Sequence, residues 1–360
     1  MLGGEVYLTD SGKSALYLLL RAIGEIFPER REVVVPDYTC WSVPSAVVKA
    51  GLKVRPVDIE LGSLGIDPKS LIEVLDSKCL AVVVTHLFGI PGRIDQVEAI
   101  CRENGVILID DAAQSLGATL NGRPLGSFGD AGVLSFGRGK CMTTVSGGAA
   151  VIRDKTLMQT AKRLYSSEFP DTSATEFADK VYLAAYKSFF HRYIYWIPDR
   201  LPFLKLGETV YDPGFKVAKM AENRAGRGET MLRRIDEISL ARKKRADEYM
   251  KALVEVNGIE LPCCPANAEP VFLRLPIVLR NGNMRPYILR KGHKLGISAM
   301  YPGTVSSIEG LRPHLADDLT ERPLAGKVSG ALVTLPTHYG VGHADIRDIT
   351  NILRRGVAEH

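Results

Sequence analysis

Short runs of β-branched and other apolar residues alternate with amphipathic segments of helical length from the start of the chain to about Ile152. This alternation predicts an α/β fold with a mostly parallel sheet and helices on both of its faces. The run from Ala81 to Val84 contains no polar position, which indicates a strand buried on both faces. The predicted strands are Glu32–Val35, Lys53–Val57, Leu80–Thr85, Val106–Ile109, Gly132–Phe136 and Ala149–Ile152. The predicted helices include Ser14–Ile26, Val43–Ala50, Pro68–Leu75 and Ile94–Asn104.

Beyond Ile152 the rhythm changes, and the segment from about Ala184 to Phe215 is unusually rich in aromatic residues. Three prolines interrupt any long helix in this segment. Basic residues stand among the rings, so one interpretation is a contact with a membrane surface or a lipid substrate. The interpretation we favour is a subunit interface or a lid packed on the core.

A charged helix is predicted over Thr230–Val254, and the remaining part of the chain shows weaker alternation, as in a small α+β domain. We therefore expect a large α/β domain over residues 1–240, with the aromatic-rich insertion at about 165–215. A smaller C-terminal α+β domain is expected over residues 241–360.

Charge excludes one class of function. The 46 basic and 41 acidic residues leave a net charge of +5, and the excess is scattered along the chain. This distribution does not call for a nucleic-acid partner.

Hydropathy argues against a membrane protein. No apolar stretch reaches the roughly 18 residues needed to span a bilayer, and the N-terminus lacks the features of a secretory signal. We therefore expect a cytoplasmic protein.

The six cysteines are too sparse for a disulfide scaffold, and no spacing among them resembles a zinc site, so we expect free thiols and no metal.

A small-residue turn, Thr9–Ser14, leads directly into the first predicted helix. Backbone N–H groups at a helix start, reinforced by the helix dipole, form a cradle that suits a phosphate. The turn is not a P-loop, because the glycine spacing of that motif is missing. Taken alone, it favours a simple helix cap at Ser11.

Two adjacent carboxylates, Asp110 and Asp111, follow an apolar strand. Neighbouring residues of a strand point in opposite directions, so at most one of them faces a ligand. A buried aspartate needs a positive partner, and the protonated ring nitrogen of a cofactor would be one. The alternative is a surface turn with two helix-capping acids, which is commoner for an isolated pair of this kind.

A glycine-rich loop after Ser135 presents Lys140, and the pair Gly147-Gly148 precedes the next strand. A lysine held among small residues and partly desolvated can have its pKa lowered enough to act as an amine nucleophile. The alternative for any single lysine is an exposed charge. The position of Lys140 between two glycine-containing turns favours the nucleophile.

These residues resemble the DegT/StrS-type sugar aminotransferases, which are pyridoxal-phosphate enzymes of the aspartate-aminotransferase fold, or fold type I. The resemblance is strongest between Ile109 and Ile152. Its motifs there are Asp111-Ala112-Ala113-Gln114, Gly126-Ser127-Phe128-Gly129-Asp130, Ser135-Phe136, Lys140 and Gly147-Gly148. Weaker likeness covers most of the chain except about residues 165–215.

The resemblance implies roles for individual residues. Lys140 would form the internal Schiff base with pyridoxal 5'-phosphate and later move a proton between the substrate carbon and the cofactor. Asp111 would pair with the pyridine nitrogen, and Gln114 would lie near the ring hydroxyl. Ser135 and the N–H groups around Gly12 and Lys13 would hold the phosphate.

Three positions depart from the family pattern. Cys40, with Tyr38 and Trp41 alongside, takes the register of an aromatic residue that covers the pyridine ring in many relatives. Lys13 stands where the family has threonine. Val217 falls where relatives have an asparagine that reaches the site of the neighbouring subunit.

The function implied by the resemblance is transfer of an amino group from glutamate or glutamine to a keto sugar, nucleotide-linked, for the synthesis of amino sugars and polysaccharides. A homodimer is implied as well, and Lys140 argues against the branch of the family that performs dehydration. One alternative is a pyridoxal-phosphate enzyme acting on a cyclitol or amino-acid ketone. Another is a cofactor-binding regulator or scaffold without turnover.

Overall fold

The structure is a computed structural model that describes residues 2–172, 179, 209–316 and 321–359. The predicted aromatic segment 184–215 therefore lies outside the described residues, except for residues 209–215.

Most strands of the first half form one twisted sheet. The strands up to Ile152 are β1 (Glu5–Thr9), β2 (Glu32–Pro36), β3 (Lys53–Val57), β4 (Cys79–Thr85), β5 (Ile107–Asp111), β6 (Thr119–Leu120), β7 (Arg123–Pro124), β8 (Ala131–Ser135) and β9 (Gly148–Ile152). All except β6 and β7 join a seven-stranded sheet in the order β1-β9-β8-β5-β4-β2-β3. Only β9 runs antiparallel to its neighbours, so the prediction of a mostly parallel sheet is confirmed.

Helices cover both faces of this sheet. They are α1 (Gly12–Ile26), α2 (Ser42–Lys49), α3 (Pro68–Val74), α4 (Ile94–Asn104) and α5 (Lys155–Glu168). The first core joins α1, α2 and α5 to one face, and a second core joins α3 and α4 to the other. Within β2, Val33 and Val35 belong to one core and Val34 to the other. This double burial explains why such strands have no polar positions.

The remaining elements are α6 (Glu222–Leu232), α7 (Ile235–Leu253), β10 (Ile259–Glu260), β11 (Ala268–Glu269), β12 (Arg274–Leu279), α8 (Arg285–Gly292), α9 (Pro323–Ala331), β13 (Leu332–Pro336) and α10 (His343–Glu359). Most of them form a smaller unit around a third core, but β11 pairs with β6, and α6 packs on the second core through Met231. Strands β10, β12 and β13 form an antiparallel sheet against which α7, α8, α9 and α10 pack. This core also contains Tyr38, Leu87 and Phe88, which lie beyond the carboxyl ends of β2 and β4. The small unit therefore packs against that edge of the large sheet.

Two features differ from the sequence-based expectations. The charged helix expected as one piece over Thr230–Val254 is two helices, because Arg234 has the non-helical angles φ −108° and ψ 5° and separates α6 from α7. Strand β1 was not predicted. It is a short edge strand with Val6 exposed, so its apolar pattern is weak, and only its pairing with β9 defines it.

None of the helices within the described ranges is both long enough and apolar enough to cross a bilayer.

Candidate active site

A cavity of about 230 Å³ opens at the edge where the parallel strands have their carboxyl ends. Ligands bind at this edge in open α/β sheets. Its wall contains every residue for which the sequence predicted a role: Gly12, Lys13, Cys40, Asp111, Gln114, Ser135 and Lys140. Four separate stretches of chain thus meet at one place.

The first helix begins at this cavity with a closely packed backbone turn. Ser11 caps α1, its Oγ accepting a hydrogen bond of 3.3 Å from the N–H of Ser14. A Cβ on Gly12 would lie 2.8 Å from the Cβ of Ser135, and one on Gly148 would lie 2.5 Å from the nitrogen of Gly12. Glycine at both positions lets the start of α1 approach Ser135. The N–H groups, the helix dipole and the serine hydroxyl form a cradle that fits a phosphate.

Asp110 and Asp111 face opposite ways, as the alternation of a strand requires. Asp110 is fully buried, and its Oδ2 accepts hydrogen bonds from the N–H groups of Gly126 (2.6 Å) and Phe128 (3.0 Å). Its Oδ1 lies 3.1 Å from Nε2 of His86. Asp110 therefore anchors the Gly126–Asp130 turn and takes no part in the cavity wall.

The imidazole of His86 forms part of the cavity wall. Its Nδ1 accepts a hydrogen bond of 3.1 Å from the N–H of Gly92. The hydrogen-bond network therefore assigns the proton to Nε2, which donates to Asp110. Both ring nitrogens are engaged, so the imidazole presents a fixed surface to the cavity.

Asp111 points into the cavity from the end of β5. Its Oδ1 accepts a hydrogen bond of 2.9 Å from the N–H of Ala113, and the described residues provide its carboxylate with no other hydrogen bond. Burial raises the pKa of Asp111, while the N–H of Ala113 and the charge of Lys140 act to lower it. A buried carboxylate in this state is suited to a cationic ring nitrogen, which would favour its ionised form.

Gln114 is held at both ends of its amide. Its Oε1 accepts a hydrogen bond of 3.0 Å from the N–H of Phe88, and its Nε2 donates one of 2.5 Å to the hydroxyl of Tyr301. Tyr301 is buried, and burial raises its pKa well above the usual value, so the phenol stays protonated. The sequence analysis assigned no role to Tyr301.

Lys140 lies on the loop that joins β8 to β9. The loop is attached to its surroundings at two points: Cys141 Sγ donates to the carbonyl of Gln114 (3.2 Å), and Arg224 Nη1 donates to Ser146 Oγ (2.5 Å). Between them Val145 adopts a φ of +83°, which is unfavourable for a β-branched side chain. The loop thus adopts a specific conformation with a strained backbone at Val145 and is not a simple turn.

Cys40 lies on the cavity wall, whereas Tyr38 and Trp41 do not. Tyr38 is fully buried and packs edge-on against Tyr301 at a centroid distance of 5.6 Å. Of the three residues considered for the face of a bound ring, the structure therefore brings only Cys40 to the cavity.

Several wall residues were not singled out for a role by the sequence. They are Leu16, Thr39, Ser42, Val43, Thr85, His86, Leu87, Ala113 and Val133. Thr85 ends β4, and Thr39 donates to it across the wall at 3.2 Å. The rule that ligands bind at the carboxyl ends of parallel strands could have identified Thr85 and the residues after it.

The class of protein follows from comparison with solved structures. The aminotransferase TlmJ from Streptoalloteichus hindustanus superposes with a TM-score of 0.77 at 22% identity, over 98% of this chain and 86% of TlmJ. At this identity the likeness establishes the fold, which is that of the fold-type I pyridoxal-phosphate enzymes.

Residues 4–354 match the DegT/DnrJ/EryC1/StrS aminotransferase family, and the chain belongs to that family. It is a transaminase that depends on pyridoxal 5'-phosphate.

Two relatives illustrate the range of similarity. The chain is 32% identical to protein MosB of Rhizobium meliloti over 187 residues, which is 52% of this chain and 36% of MosB. It is 27% identical to the GDP-perosamine synthase of Caulobacter vibrioides over 340 residues, which is 94% of this chain and 81% of that enzyme. The match to MosB thus spans only about a third of that protein.

Proposed function

We propose that this protein transfers an amino group from glutamate or glutamine to a nucleotide-linked keto sugar, producing an amino sugar for polysaccharide synthesis. The observation that carries the proposal is the meeting of Lys140, Asp111 and the Gly12–Ser135 cradle on one cavity wall. Support for a sugar acceptor comes from the relative named GDP-perosamine synthase, which matches over most of both chains.

When bound, pyridoxal phosphate supplies a reactive aldehyde carbon and a ring that withdraws electron density. We assign the covalent attachment to the amine of Lys140, with the phosphate held by Ser135 and the first turn of α1. The carboxylate of Asp111 pairs with the ring nitrogen and keeps it protonated. Gln114 is assigned to the ring hydroxyl, with its orientation set by Phe88 and Tyr301, and Cys40 to the face of the ring.

The second role of Lys140 is proton transfer. Its Nζ takes the proton from the Cα of the amino donor and returns one to the carbon of the acceptor ketone. A single positioned base of this kind contributes about 10²- to 10⁴-fold to the rate. Because both half-reactions use the same nitrogen, ping-pong kinetics are expected.

The test begins with borohydride reduction of the reconstituted protein, which should attach the coenzyme to Lys140. Glutamate should convert the bound aldehyde form to the amine form, which is followed by absorbance. Lys140→Ala should lower transamination at least about 100-fold. Attachment at another lysine, or full activity of Lys140→Ala, would contradict the proposal.

A second candidate acceptor is a cyclitol ketone. The L-glutamine:2-deoxy-scyllo-inosose aminotransferase of Streptoalloteichus tenebrarius is 34% identical over 167 residues, although these are only 38% of that enzyme. Keto sugars with and without the nucleotide, assayed beside a cyclitol ketone and an amino-acid ketone, distinguish the acceptors. No spectral change with any amino donor would favour a regulator or scaffold.

We also propose that the protein is cytoplasmic and that its chain forms two domains, divided near residue 240.

We propose further that the protein is a homodimer. Exposed apolar side chains on α6 and α7 support the dimer: Leu232 is 43% exposed and Leu240 is 70% exposed. Burial of such residues in a subunit interface is favourable. Sedimentation should give twice the mass of the chain, and Leu240→Glu should shift the equilibrium towards the monomer. A wild-type monomer at micromolar concentration would refute the dimer.

A further inference from the structure

Apart from Lys140, Lys13 is the only lysine or arginine on the cavity wall among the described residues. It is the second residue of α1, next to Gly12, whose backbone packs against Ser135. Its side chain therefore starts within the cradle assigned to the phosphate.

The ammonium of Lys13 is held by an aromatic ring and not by a carboxylate. Its Nζ lies 4.4 Å from the centroid of the Phe215 ring, within the range of a cation–π contact. In the described part of the chain Lys13 forms no salt bridge. Asp10, three residues before Lys13, is engaged elsewhere, since it accepts a hydrogen bond of 3.4 Å from Ser11 Oγ and interacts electrostatically with Arg224. The charge of Lys13 thus remains available to an anion.

Within the described ranges, the segment around Phe215 contributes no side chain to the cavity wall, so its lysines Lys216 and Lys219 do not line the cradle. Val217, two residues beyond Phe215, is an apolar side chain packed against the first core. Phe215 itself is buried and can position the lysine but cannot bind an anion.

We propose that the ammonium of Lys13 forms an ion pair with the phosphate of the bound cofactor, held in place by the ring of Phe215. This inference rests on the proposed cofactor site. The Lys13 ammonium adds a side-chain charge to a cradle otherwise built from backbone N–H groups and a hydroxyl. Hydrogen bonds between ionised groups are markedly stronger than neutral ones. The affinity for the coenzyme should therefore depend on Lys13 and on ionic strength.

Lys49 offers a matched control. Its Nζ lies 5.0 Å from the same Phe215 ring and 5.5 Å from that of Tyr17, but Lys49 is not on the cavity wall. Lys49→Met removes an ammonium that contacts the same Phe215 ring and leaves the phosphate cradle unchanged.

The experiment compares the Kd of pyridoxal 5'-phosphate with that of pyridoxal, which lacks the phosphate, for wild type, Lys13→Met and Lys49→Met. We expect Lys13→Met to weaken binding of the phosphorylated aldehyde about 10- to 100-fold, with pyridoxal unaffected. Lys49→Met should change neither Kd, and Lys13→Arg should retain most of the affinity. Binding of pyridoxal phosphate to wild type should weaken with added salt more steeply than to Lys13→Met.

Equal weakening of both aldehydes by Lys13→Met would assign Lys13 a purely structural role and overturn the inference. The inference is also overturned if Lys13→Met binds pyridoxal phosphate and pyridoxal with the wild-type Kd values. It is overturned as well if Lys49→Met weakens the binding of pyridoxal phosphate as much as Lys13→Met does. Failure of the wild-type protein to bind either aldehyde would overturn the cofactor site itself, so the two failures are distinguishable.

Discussion

The side-chain amide of Gln114 donates a hydrogen bond of 2.5 Å to the hydroxyl of Tyr301, across 187 positions of the chain. Gln114 follows β5 of the large sheet, whereas Tyr301 belongs to the core of the smaller unit. This bond therefore connects the wall of the cavity to the packing of the C-terminal region. A buried amide donor without a partner is costly, so the two residues stabilise each other's positions.

Tyr301→Phe should lower the free energy of unfolding by about 1–3 kcal/mol and raise the Kd of pyridoxal phosphate, because Gln114 loses its acceptor. Urea denaturation and absorbance titration measure the two effects. The control is Tyr249→Phe, since the Tyr249 hydroxyl is buried in the same core without a hydrogen-bond partner among the described residues. Equal effects of the two substitutions would contradict the importance of the bond.

Asp111→Asn should stabilise the cofactor-free protein near neutral pH, and it should abolish most of the transamination of the enzyme loaded with pyridoxal phosphate. The folded-state pKa of Asp111 is raised by burial, so its ionisation costs stability once the pH rises above the unfolded pKa of the carboxyl group. We expect a gain of about 1–3 kcal/mol, the usual cost of an incompletely paired buried polar group. The gain should vanish in acid, where Asp111 is protonated. Thermal unfolding of both proteins between pH 4 and pH 8 checks the sign, and a gain independent of pH would contradict it.

Asp110→Ala should destabilise the protein, in contrast to the change at the adjacent aspartate. It leaves the N–H groups of Gly126 and Phe128 without an acceptor and removes the partner of His86. A loss of about 3 kcal/mol or more is expected, since hydrogen bonds to a charged group contribute about 1.5–3 kcal/mol each. Urea denaturation of cofactor-free Asp110→Ala and Asp111→Ala provides the comparison. Similar losses for the two variants would show that the assignment of their orientations is wrong.

Val145→Gly should stabilise the loop that carries Lys140. A residue other than glycine in a left-handed conformation costs about 1–3 kcal/mol, and the greater entropy of unfolded glycine offsets about 0.5–1 kcal/mol. The expected net gain is therefore about 1 kcal/mol, read from the midpoint of urea denaturation. Val145→Ala keeps a Cβ at the same φ of +83° and should gain less. A loss of stability in Val145→Gly would contradict the presence of strain.

Local patterns in the sequence were sufficient to predict most strands of the large sheet. The strand Lys53–Val57 and the helix Ile94–Asn104 agree with prediction residue for residue, because each has a clear periodicity and a flanking turn signal. Strand β1 was missed because an exposed edge strand of five residues has little apolar pattern of its own. The break between α6 and α7 was missed because charged residues continue through it without a glycine or proline.

The sequence by itself determined the fold class, the cavity edge and the residue types that serve it, because apolar periodicity and glycine spacing are local properties of the chain. Only the tertiary structure decided which of Asp110 and Asp111 faces the cavity, that Gln114 meets Tyr301, and that Phe215 holds Lys13. These contacts join residues far apart in the chain. They depend on how the sheet and the smaller unit pack against each other, and no local pattern encodes that packing.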